Sequence, residues 1–141
     1  MKPQLLIEAI WAAGAVQLAI IAANLPLPEM LEVRERFSGL PRFLCQIFYV
    51  HWIYIVIILA MFAALCFSFA PQLAGGSSLG RFLSGFMCWF WLLRICLQVF
   101  YYDREIRRRN RVLDSLYLIA LAALVLVFGV AAARPMRWPM R

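Results

Sequence analysis

The sequence predicts an all-α integral membrane protein, with four transmembrane helices in a small bundle and a short interfacial amphipathic helix between the first two. Two observations carry this expectation. Of the 141 residues, 65% are hydrophobic and only 15% are charged, whereas a soluble domain holds roughly half and a quarter. The apolar residues also fall into four blocks, each about as long as the ~20 residues that cross a bilayer. No segment outside the blocks is long enough to fold alone, so residues 1–141 form one transmembrane domain.

The first helix is expected over residues 4–24. Only Lys2 precedes it and Glu8 lies within it, which fits poorly with the basic start and clean apolar centre of a cleaved leader. A retained membrane helix is therefore expected. Pro26 and Pro28 end it, and Pro28 can open a new helix. Over residues 28–37, Met30, Val33 and Phe37 recur at helical spacing opposite Glu29, Glu32, Glu35 and Arg36. That pattern suits a helix lying in the membrane interface. Residues 43–70 make the second crossing, which Pro71 and the AGGSSLG stretch should terminate. The third helix is expected over 81–105 and the fourth over 112–133.

Basic residues orient the bundle. Lys2, Arg81, Arg134, Arg137 and Arg141 fall on the side of the two termini. Arg34, Arg36, Arg42, Arg104, Arg107, Arg108, Arg109 and Arg111 fall on the other. Positive residues gather on the cytoplasmic side of short loops. The loops at 25–42 and 103–111 are therefore expected in the cytoplasm, with both termini outside, in a membrane of the bacterial cytoplasmic type. The formal net charge of +7 is thus a property of membrane borders and not the footprint of a nucleic-acid-binding module.

Polar residues inside apolar blocks are the candidates for function, because in lipid they turn toward other helices or a wet cavity. At 100° per residue, Arg94, Gln98, Tyr101, Glu105 and Arg108 share one side of the third helix. Arg94 lies about 12 Å along the axis from Tyr102, a long climb for a snorkelling side chain. His51, the sole histidine, lies at a similar depth on the second helix, with Tyr54 close to it on the same face. Arg94, Gln98, His51, Tyr101 and Tyr54 form the candidate polar site. Arg107, Arg108 and Arg109 would draw anionic headgroups to it. On the first helix, Gln4, Glu8, Trp11, Ala12, Ala15, Ala19 and Ala22 share one side. Small residues let helices approach closely, so this side is expected against a neighbour, where Glu8 is a candidate proton-titrating group. The equal alternative is that Glu8 reaches the outer interface and stays solvated.

Several chemistries are not expected. Cys45, Cys66, Cys88 and Cys96 form no CxxC pair and lie within apolar blocks, where a thiol behaves as a small hydrophobe. One histidine cannot supply a His-rich metal site or bis-histidine haem ligation, so no metal and no cofactor is expected. No P-loop, HExxH or GxSxG occurs. Four functions remain, of which proton-coupled transport through Glu8 is the weakest. The foremost expectation is a structural or accessory subunit that packs against a membrane-protein partner or a second copy. The second is binding or transport of an anionic lipid or amphiphile near the cytoplasmic leaflet. The third is an enzyme acting on a lipid-soluble substrate, with His51 as acid or base and Arg94 stabilising negative charge.

Overall fold

A computed structural model describes residues 3–30, 39, 41–101 and 111–135. Four long helices dominate: α1 (Pro3–Asn24), α3 (Arg42–Ala74), α4 (Ser78–Phe100) and α5 (Arg111–Ala132), with a single turn, α2 (Leu27–Met30), after α1. No strand occurs among the described residues. Each long helix is long and apolar enough to span a membrane, with mean hydropathy between 1.6 and 2.7 over its best window. The protein is an all-helical, membrane-embedded bundle. The expected interfacial helix over 28–37 lies outside the described residues, apart from the three that complete α2.

Three helix boundaries differ from the sequence expectation. The third crossing ends at Phe100 and not at 105, its C-cap Tyr101 still bonding back to the Leu97 carbonyl. Two others differ for local reasons. The second crossing continues past Pro71 to Ala74. Phe69 breaks the helix with φ −128° and ψ 22°, so Pro71 falls in the first turn of a restarted helix. There its missing N–H costs nothing. The turn that follows uses Gly76 at φ 76°, a conformation open to glycine without steric cost. The third crossing begins at Ser78, not Arg81, because the Ser77 hydroxyl caps it and accepts from the Gly80 N–H at 3.0 Å. At Gly80 a side chain would meet the Gln72 carbonyl oxygen and the Ser77 hydroxyl, so glycine permits this close turn.

The helices associate as two pairs, α1 with α3 and α4 with α5, which meet each other more sparingly. In the first pair, Gly14 brings α1 against α3. A Cβ built on it would lie 3.0 Å from the Cys66 Cβ and 3.1 Å from the Phe67 ring. The buried side of α1 is therefore Leu6, Ile10, Ala13, Gly14, Gln17 and Ile20. This corrects the expected orientation. Gln4, Glu8, Trp11, Ala12, Ala15, Ala19 and Ala22 all point out of the bundle. Both sides of α1 carry small residues, but only the Gly14 side also removes the amide of Gln17 from lipid.

Polar ties hold the second pair along much of its length. The Arg81 Nε donates to the Ala132 carbonyl at 3.1 Å, and Cys88 Sγ donates to the Val125 carbonyl at 3.5 Å. Gln98 Nε2 donates to Asp114 Oδ1 at 2.8 Å. Arg81 thus serves a carbonyl in the last turn of α5, one of those a helix end cannot satisfy itself. Between the pairs lies an apolar core that includes Leu59, Phe62, Met87, Trp91, Leu124 and Phe128.

Candidate functional site

Where the two pairs diverge, a cavity of about 440 Å³ opens at the end of the bundle formed by the C-termini of α1 and α4 and the N-termini of α3 and α5. Each long helix contributes. Asn24 comes from α1, His51 and Trp52 from α3, Trp91 and Arg94 from α4, Tyr101 from the cap just past α4, and Tyr117 from α5. The His51 and Arg94 side chains, 43 positions apart in sequence, line the same space. Phe48, Phe90 and aliphatic side chains complete walls that are mainly apolar.

The polar groups are held by their own helices. His51 Nδ1 lies 2.8 Å from the Ile47 carbonyl oxygen one turn earlier. A carbonyl only accepts, so Nδ1 carries the hydrogen and Nε2 is the ring atom available to a ligand. The Arg94 guanidinium lies over the Tyr117 ring, 5.5 Å from its centroid. This cation–π contact sets the orientation of the planar fork, which carries several N–H donors. Trp52 Nε1 donates to the Asn24 carbonyl at 3.0 Å, and Asn24 Nδ2 donates to the Ile20 carbonyl at 2.7 Å. These bonds close off the end of α1 beside the cavity.

Exposure falls along α4 from the rim inward. Tyr101 is 84% exposed, Arg94 is half-buried and Trp91 is 1% exposed. Trp91 Nε1 has no hydrogen-bond acceptor among the described residues, and neither Gln17 Oε1 nor Ser84 Oγ finds a partner. Only Trp91 of these three lines the cavity. Its indole is braced by neighbouring rings. Phe90 meets it edge to face at 5.3 Å and meets Phe62 in turn at 5.1 Å.

Of the residues expected to form a site, the cavity gathers His51, Arg94 and Tyr101. Gln98 does not line it, because its amide is turned to Asp114 on α5. Tyr54 does not line it either and is 62% exposed on the outside of α3. Glu8 lies far away, on the outer face of α1 near the opposite end. Glu105, Arg107, Arg108 and Arg109 fall outside the described residues. Sequence reading missed Trp91, Trp52, Asn24 and Tyr117. Trp91 stands three positions before Arg94, on the same side of the helix, and that spacing was a usable signal. Tyr117 offered none, since its place depends on how α5 packs.

A more open hollow of about 480 Å³ lies at the other end of the bundle, beside Pro3, Gly75 and Arg134. Among the described residues it is bounded largely by chain ends and small residues and gathers no comparable set of polar side chains. Among the described residues no three His, Cys, Asp or Glu side chains gather where they could hold a metal. Comparison of the chain with protein-family models, with curated protein sequences and with solved structures finds no match.

Proposed function

We propose that the protein binds an anionic lipid or related amphiphile, with its headgroup in the cavity that His51 and Arg94 share. The observation that carries the reading is that sharing: one cationic fork and one imidazole, supplied by different helices, line the same mainly apolar space. Arginine offers planar paired donors suited to phosphate or carboxylate, and such bonds strengthen where water is scarce. The Tyr101 hydroxyl can add a donor at the rim. The basic run that follows α4, with Arg107, Arg108 and Arg109, raises the local concentration of anionic headgroups, at about 1 kcal/mol per basic residue near the surface. By the bias of arginine between loops, the cavity end faces the cytoplasm and both termini face outward, in a membrane of bacterial cytoplasmic type.

Native mass spectrometry of protein purified in mild detergent tests the reading. The wild type is expected to retain anionic phospholipid, and Arg94→Ala should weaken retention about tenfold or more, the scale of a lost charge-assisted hydrogen bond. Circular dichroism establishes that the variant is folded. Unchanged retention in a folded Arg94→Ala protein would remove the site.

A second reading, an accessory subunit or homo-oligomer, is favoured by the outward side of α1. Glu8, Ala12, Ala15 and Ala19 are exposed there, and small residues suit close packing by another membrane helix. Ala15→Phe should dissociate any complex recovered in mild detergent while leaving the isolated chain folded. Enzymatic action is the weakest of these three readings, because His51 is the sole histidine and no carboxylate among the described residues lines the cavity.

A further inference from the structure

Trp91 lines the cavity and carries a donor that the headgroup reading does not use. Trp91 is 1% exposed, and its Nε1 hydrogen meets no acceptor among the described residues. A buried donor without a partner is costly, more so in a bundle surrounded by lipid. The indole cannot readily turn to find a backbone acceptor, because Phe90, held in turn by Phe62, packs against it. Trp91 and Arg94 stand three positions apart on one side of α4 and line one cavity, with about 4.5 Å of backbone rise between them.

We infer that the ligand is an acyl-ester phospholipid, whose phosphate takes the Arg94 level and whose ester carbonyl accepts from Trp91 Nε1. The inference rests on the anionic-lipid reading and specifies its ligand class. In a glycerophospholipid a few bonds separate the phosphate from the first ester carbonyl, a span comparable with the backbone rise between the two residues. The phosphate is the more polar group and takes the level nearer the rim. The carbonyl, neutral and a good acceptor, suits the deeper, drier level. Ile55, half-exposed on α3 and part of the lining, gives the acyl chains an apolar way out to the bilayer. A fatty acid or a polyprenyl phosphate has an acidic head but no second acceptor at that distance.

The test compares two phosphatidylglycerols of equal chain length, one diacyl and one dialkyl, the second lacking only the carbonyl oxygens. Each is titrated onto the purified full-length protein in detergent and followed by native mass spectrometry, with diacyl phosphatidylcholine as the zwitterionic control. The wild type is expected to bind the diacyl lipid about three- to tenfold more tightly than the dialkyl lipid, the scale of one neutral hydrogen bond. Trp91→Phe should bind both with the wild type's affinity for the dialkyl lipid. Equal binding of both by the wild type, above the control, overturns this inference and leaves the headgroup reading standing. That result would follow if water satisfied the indole. Binding of neither above the control overturns both. Ester preference that persists in Trp91→Phe also overturns the assignment. The wild-type comparison needs no variant, so it decides the matter even if Trp91→Phe fails to fold.

Discussion

The Arg94 guanidinium stands 5.5 Å from the centre of the Tyr117 ring, and both side chains line the cavity between the two helix pairs. A cation in the membrane is expensive unless its charge is met by polar or polarisable groups. The Tyr117 ring face supplies part of that environment. The contact therefore has a structural role in joining α4 to α5 and a positioning role toward any bound anion.

A double-mutant cycle measures the structural role. Arg94→Gln and Tyr117→Leu should each destabilise the bundle, with a coupling of about 0.5 to 2 kcal/mol between them. Unfolding titrations in mixed detergent micelles give the four stabilities. A coupling indistinguishable from zero would mean that the ring contributes no stabilisation to the cation.

The packing of α1 predicts a contrast between neighbouring positions. Gly14 touches Cys66 and Phe67, whereas Ala15 points away from the bundle. Gly14→Val should cost about 1 to 3 kcal/mol through overpacking, while Ala15→Val should change stability by less than about 0.5 kcal/mol. Equal effects in the same unfolding titrations would mean that α1 is rotated from the orientation described.

Gln98 separates stability from binding. Its amide donates to the Asp114 carboxylate at 2.8 Å and it does not line the cavity. Gln98→Leu should lower stability by about 1.5 to 3 kcal/mol, the range for a hydrogen bond to a charged group. Lipid retention per folded molecule should not change. A selective loss of retention would return Gln98 to the binding site.

Orientation is open to a direct measurement. A reporter active only outside the cytoplasm, fused after Arg141, should be active, and the same reporter inserted in the 103–111 loop should be silent. The reverse pattern would invert the proposed topology and put the cavity end on the outer face.

The transmembrane segments were legible because membrane crossing is a local property. A run of about 20 apolar residues declares itself without reference to any partner. Two misjudged boundaries, at Pro71 and Ser77, turned on a backbone break at Phe69 and a single cap, which apolar run length does not encode. Arg94 stood out as a candidate for the same local reason, being a charge inside an apolar block. Its neighbours did not, because proximity in the cavity depends on pairing between helices. Gln98 shares a side of α4 with Arg94, yet Asp114 on α5 takes its amide. Tyr54 shares a helix with His51 and points outward.

From the sequence alone came the helical class, the four crossings, the polar side of α4 and the arginine bias between loops. Only the tertiary structure decided which side of α1 faces inward and that His51 and Arg94 line one cavity. It also decided that Trp91 carries a buried donor with no acceptor among the described residues. The physical reason is that hydropathy drives each helix into lipid one at a time. Once there, with lipid as apolar as the helix surfaces, close fit and polar pairing choose the partners. A single glycine at position 14 and a few hydrogen bonds made that choice here.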